Sequence, residues 1–202
     1  MKTCFFVDGF NLFHAIDCNR NFHKYKWLDL KKFAQAFLPH TDELVDVYYF
    51  TAYATWDQEK VQRHQTYVQA LQSEGVKIVF GAFRQKTTKC HLCKKIFSSY
   101  VEKETDVNIA IKLFQLSIKE EYEKAYIVSG DSDLIPAIKA VKETFPKKQI
   151  GVVIPIGRRA ELLKQEADFH MKMKEHHLST CQFPDRIRLA SGVTLTRPPS
   201  WH

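Results

Sequence analysis

The chain has 202 residues, 45% hydrophobic and 13% aromatic, enough for one domain with a sizeable core and too apolar for a disordered segment. Its net charge of +7 and pI near 9.1 favour a polyanionic partner such as nucleic acid. Five cysteines with a single close pair exclude a disulfide framework, and no stretch approaches the roughly 18 apolar residues of a membrane span.

In chain order, "TCFFV" (3–7) reads as a short buried strand, broken by "DGFN". Asp8 and Gly9 cut this run too early for a signal peptide, so a reduced, cytoplasmic setting with no membrane partner is expected. "LDLKKFAQAFL" (28–38) has helical spacing, and "LVDVYYFTAY" (44–53) is a strand. A long helix follows, with Val61, Tyr67, Val68 and Leu71 as its apolar positions and Gly75 as its stop. "VKIVFGAF" (76–83) reads as one strand, followed by a polar, basic, cysteine-containing segment to about Ser99. "DVNIAIKLFQLSI" (106–118) is strongly helical. "KAYIVSG" is a strand, "DLIPAIKAVKETF" a helix, "KQIGVVIPI" a strand and "RRAELLKQEA" a helix. Strands alternating with helices predict an α/β class with a largely parallel sheet covered on both faces. After about Cys181 the pattern fades into a tail or small hairpin packed on the domain.

The acids gather at comparable points of this pattern. Asp8 follows the first strand, and Asp131 and Asp133 follow the strand 125–129. Ligands of open α/β sheets bind outside the carboxyl ends of the strands. Asp106 opens a helix on the same face as Ala110, Leu113 and Phe114, which should put it on the buried stripe. Four carboxylates brought together repel and recruit a cation. Hard oxygen donors suit Mg²⁺ or Mn²⁺, an ion that can hold a phosphodiester oxygen and lower the pKa of a bound water. Asn11 could orient the water or the phosphate from the first turn. Each residue alone also has an ordinary reading: Asp133 or Ser132 as a helix cap, Asp8-Gly9 as a turn, Asn11 as a cap, Asp106 as a helix-start acid.

The stretches "FVDGFNLFH" (6–14), "YVEKETDVNIAIKLF" (100–114) and "YIVSGDSDLIPAI" (126–138), in this order and spacing, resemble the NYN domain family of PIN-like ribonucleases, which includes the LabA-like proteins. The resemblance spans about residues 1–160. It implies a PIN-like three-layer α/β/α sandwich with a central, mainly parallel sheet. It also implies an endoribonuclease dependent on Mg²⁺ or Mn²⁺. Carried over by position, Asp8, Asp106 and Asp131 would bind metal with Asp133 accompanying them, Asn11 would be the polar residue of the first motif, and Ser129 would line the site. The domain is expected over residues 1–180, with a basic insertion at about 84–99 and a tail at 181–202. PIN-like relatives often pair, which makes a homodimer one implied arrangement.

Arg84, Lys86, Lys89, Lys94 and Lys95 form a basic run without an acid, flanked by Phe83, Phe97 and Tyr100. Cations that track phosphates beside rings that stack on bases suit single-stranded RNA; a solvated loop is the plain alternative. Tyr53 and Trp56 follow another strand end, with core packing expected for one of them. Arg158 and Arg159 at the start of a helix would oppose its dipole, which a nearby phosphate or acidic cluster would explain. Cys90-x-x-Cys93 is half a zinc site; with no second C-x-x-C, Zn²⁺ there is the lesser reading, and His176-His177 is a distant candidate pair. The expected function is hydrolysis of RNA phosphodiester bonds through the Asp cluster and a metal-activated water. The alternatives are an RNA-binding or regulatory module of the same fold, and a Toprim-like or phosphatase-type phosphoester hydrolase. No G-x-x-x-x-G-K or G-x-G-x-x-G run is present, which excludes P-loop and dinucleotide chemistry.

Overall fold

The computed structural model describes residues 1–89 and 91–201. Strand β1 (Lys2–Asp8) runs straight into helix α1 (Gly9–Asp17), and a 3₁₀ turn leads to α2 (Leu30–Phe37). Then come β2 (Glu43–Thr51), α3 (Gln58–Ser73) and β3 (Lys77–Phe80), followed by β4 (Ala82–Lys89) and β5 (Ile96–Lys103). Helix α4 (Thr105–Ile118) precedes β6 (Lys124–Val128), α5 (Ile135–Thr144) and β7 (Gln149–Ile154). The chain ends with α6 (Glu161–Glu166), β8 (Phe169–Lys172), α7 (Glu175–Thr180), β9 (Arg186–Arg188) and β10 (Thr194–Thr196).

The main sheet has six parallel strands in the order β3-β2-β1-β6-β7-β8. From β1 the chain first builds outward through β2 and β3. It then returns to β6 on the other side and builds outward again. The crevice between the ends of β1 and β6 is therefore the topological switch point, where such sheets bind ligands. Both faces are covered. Phe5 and Val7 of β1 look toward α1, α2 and α3, while Cys4 and Phe6 look toward α4 and α5. This explains the unbroken apolar run in β1: a central strand buried on both faces has no solvent side to alternate with. Phe5 stacks on Tyr126 of β6 with ring centroids 4.5 Å apart, which fixes the pairing of the two strands at the switch point. The three layers form the expected α/β/α sandwich. Phe183, Leu195 and Trp201, near the C-terminus, pack into the core on the α1–α3 side.

Several elements differ from the sequence reading. The first motif is not a turn but helix α1, which starts directly on the strand because Asp8 ends β1 and caps α1 at once. "VKIVFGAF" is two strands, broken at Gly81, whose N–H still donates to Thr51 O; a Cβ there would meet Lys103 O at 2.7 Å. The basic segment is an arm rather than a loop: β4 and β5 pair antiparallel in one continuous register. Asp106 is half-buried at the margin of its helix, whose buried positions are Thr105, Ile109, Leu113, Leu116 and Ser117. Arg158 and Arg159 precede α6, whose N-cap is Ala160, instead of opening it. Strand β8 and helix α7 had no expectation at all. Among the described residues no helix is long and apolar enough to cross a membrane, and nothing in the single chain supports the homodimer.

Candidate functional site

Pairing of β1 with β6 runs to Val7 opposite Val128, so the next residues, Asp8 and Ser129, stand side by side. Ser129 Oγ donates to Asp8 Oδ2 at 2.9 Å and accepts from the Asp131 N–H at 3.1 Å. Asp8 Oδ1 accepts from the Asn11 N–H at 3.0 Å, the capping bond of α1. Asn11 Oδ1 in turn accepts from the Gly130 N–H at 3.0 Å. The two strand-end turns are thus stitched together by Ser129 and Asn11. Asn11 works here as a clasp through its Oδ1 and its backbone N–H. Asp131 caps the 3₁₀ turn after β6 by accepting from the Asp133 N–H at 3.0 Å, so the cap is Asp131 rather than Ser132 or Asp133. Asp133 is exposed at the rim.

Electrostatics tie the acids together. Burial pushes the Asp8 carboxyl up; the Asn11 N–H and the Ser129 hydroxyl pull it down, and Asp131 and Glu102 push it up again. Asp106 is pushed up to about 6, first by burial and then by Asp8, Asp131, Glu102 and Asp133. Glu102 is the residue the sequence reading missed. It lies on β5 opposite Phe83, and its Oε1 accepts from the Thr105 N–H at 3.0 Å, closing the start of α4. Alternation in a strand would have put Glu102 on one face with Tyr100, but only once β5 was known to be a strand.

Among the described residues no three His, Cys, Asp or Glu side chains form a ready cage for a metal ion. The donor chemistry still suits a hard divalent cation. Carboxylates raised by burial and by neighbouring acids, as Asp8 and Asp106 are, are relieved by a positive charge, and an ion that keeps several waters need not touch every carboxylate. Asp8, Asp106 and Asp131 are the residues that could hold one.

The cations separate. Gly130 lies against Arg158: a Cβ there would be 3.4 Å from Arg158 Cβ, so this side chain borders the site. Arg159 instead contributes to the field at Glu161. On the arm, Arg84 and Lys86 alternate with Phe83 and Gln85, so they face away from Tyr100 and Glu102; Arg84 pairs with Glu104 at 3.2 Å. Lys89, Lys94 and Lys95 are exposed toward its tip. Tyr53 packs on His64 and Phe80, while Trp56 stacks on Tyr100 beside the site. Cys90 lies outside the described residues, and with it the zinc expectation; Cys93 is an exposed free thiol. His177 is engaged elsewhere, packed at a tilt against Phe37 and accepting from the Lys174 N–H.

Two expectations follow from this geometry. Ser129→Ala leaves a buried Asp8 oxygen without its donor and should lower stability by about 1–3 kcal/mol, read by urea melts. Asp106 makes metal-free stability depend on pH. Its carboxyl titrates at 3.8 when unperturbed and about 6 in the fold, so the folded state binds the extra proton between these values. Stability is greatest below the lower value, declines as pH rises through the upper one, and stays lost above it. Melts in EDTA across this window should show a smaller decline in Asp106→Asn than in the parent; equal declines would contradict the assignment.

The arrangement can be set beside known proteins. A protein of unknown function from Vibrio parahaemolyticus has a similar crystal structure, with a TM-score of 0.61 and 15% identity over 86% of this chain and 93% of that chain. No curated protein matches the chain significantly. The family model described as the NYN domain matches residues 2–174. Domains of that family have a PIN-like nuclease-type fold and are generally nucleases. With strand-end acids, switch-point crevice and family match in agreement, the chain belongs to the NYN domain family.

Proposed function

We propose that the chain is a divalent-metal-dependent endoribonuclease that cuts single-stranded RNA in the crevice between β1 and β6. The observation that carries this reading is the gathering of acids at the ends of β1 and β6: Asp8 and Asp131 share the Ser129 hydroxyl, and Asp106 is pushed up to about 6, first by burial and then by Asp8, Asp131, Glu102 and Asp133. A protein that only bound a polyanion would gain nothing by gathering acids at its ligand site. Asp8, Asp106 and Asp131 would hold the ion, with Asp133 beside them. Their oxygens fit Mg²⁺ or Mn²⁺ better than zinc. When bound, such an ion supplies Lewis acidity to a phosphodiester oxygen and lowers the pKa of water.

The chain's own residues do the rest. Ser129 and the Asn11 N–H hold the Asp8 carboxylate in one orientation. Asn11 keeps the Gly130 turn closed against α1, so Asp131 stays near Asp8. Arg158 borders this turn and offers a planar, permanently charged fork to the phosphate. The exposed Lys89, Lys94 and Lys95 toward the tip of the arm would add positive field for the RNA backbone, while Arg84 and Lys86 on the arm's other face and Arg159 beside Glu161 would act only at longer range. Residues 1–180 are read as the nuclease domain, with the arm as its insertion and 181–202 as its tail, acting in the cytoplasm.

Pure protein incubated with labelled single-stranded RNA should make internal cuts with Mn²⁺ or Mg²⁺ and none in EDTA. RNA that is bound but left intact with either ion would make the protein a binding module.

A further inference from the structure

A groove of about 890 Å³ opens beside the acid cluster, between α1, α3 and the arm. Gly9, Phe10 and Glu102 border it, so it adjoins the acid site. Its volume lies within the roughly 300–1,000 Å³ of small-molecule sites. One wall is aromatic. Trp56 and Tyr100 stack with centroids 3.8 Å apart and planes 5° apart. Phe83 meets Trp56 edge-on at 4.7 Å, and Phe10 meets Phe83 edge-on at 5.2 Å. Trp56 and Tyr100 are nevertheless 40% and 41% exposed, an open aromatic surface where the arm meets the domain. On the opposite side Thr51 Oγ1 and His64 Nε2 are 3.1 Å apart. Burial pulls the His64 imidazole down to about 4, so this lining ring is neutral at ordinary pH and the Thr51–His64 pair is a neutral polar feature of the groove.

Lys60 and Arg63 line the same groove, as does Lys26, whose side chain is largely covered and paired with Asp17 of the lining. Lys60 pairs with Asp57 at 3.1 Å and Arg63 with Glu59 at 3.6 Å, each pair with one partner open to solvent. Such pairs hold weakly and yield readily to a phosphate. Flat rings, a neutral polar floor and a cationic rim together match the parts of one nucleotide: base face, base edge and phosphate. An apolar peptide would leave the cations and the Thr51–His64 pair without a role.

We infer that this groove receives an unpaired nucleobase of the RNA beside the cut phosphate, with Trp56 and Tyr100 as its stacking platform. The inference rests on the endoribonuclease reading for the position of the phosphate. It supplies a reason for single-strand preference, since a paired base would first have to leave its duplex.

Binding in EDTA tests the groove, and cutting with Mn²⁺ tests the nuclease reading separately. The probes are a short mixed-sequence single-stranded RNA and the same sugar–phosphate chain without bases. Removing the bases should weaken parent binding about tenfold or more. Trp56→Ala should lose a similar factor on the base-bearing RNA and nothing on the abasic chain, and Trp56→Phe should recover most of it. If Trp56→Ala weakened both probes equally, or neither, the groove would hold no base. Base-dependent binding without any cuts would keep the groove and remove the nuclease. Metal-dependent cuts with base-independent binding would do the reverse.

Discussion

Asp131→Asn should lower the rate of metal-dependent RNA cleavage by roughly 10³-fold or more while leaving RNA binding intact. The change keeps the oxygen that accepts the Asp133 N–H, so the 3₁₀ turn after β6 can still be capped. It also keeps the Asp131 N–H that donates to Ser129. What disappears is a negative charge at the centre of the cluster. Without metal, that loss eases repulsion of an incoming phosphate, so RNA should bind the variant as tightly as the parent or more tightly in EDTA. The Asp106 carboxyl should fall at the same time, since Asp131 is one of the charges that raise it. A thermal melt equal to or above that of the parent would confirm that the fold is intact. Unchanged cleavage would remove Asp131 from the catalytic set, and weaker RNA binding would point to a positioning role.

Gly9→Ala should cost about 3 kcal/mol of stability and more activity than that loss explains. A Cβ at Gly9 would sit 2.5 Å from Phe50 O and 2.8 Å from two ring atoms of Tyr49. The carbonyl belongs to the end of β2, which is paired on both sides and cannot retreat, and Tyr49 is buried. The start of α1 must therefore move. Asp8 caps that helix, and Asn11 in its first turn holds Gly130, so the displacement passes directly to the acid site. Urea melts give the stability, and kcat/KM of the folded fraction gives the rest. A variant with parental stability and activity would show that α1 can shift without moving the acids. The glycine of the first motif is thus explained by close approach of helix to strand, since its φ is not positive.

The sequence by itself carried the class of the fold, because buried strands and amphipathic helices announce themselves by period and length. It also carried the acids. Asp8, Asp131 and Asp133 follow apolar runs, and a carboxylate at a strand end needs no tertiary information to be suspected. Helix α1 escaped because a single residue ends the strand and caps the helix, leaving no loop to mark the change. The arm escaped because its strands are mostly exposed: with no buried face there is little apolar alternation to read. Only the tertiary structure decided which acids meet. The parallel register that sets Asp8 beside Ser129 depends on pairing across 121 residues of chain. The same is true of Glu102, which joins the cluster because the arm folds back to the site, and of Arg158, delivered by the turn after β7. Local pattern is set by each segment's own solvent exposure. Convergence is set by strand order and register, which arise from packing between segments far apart in the chain.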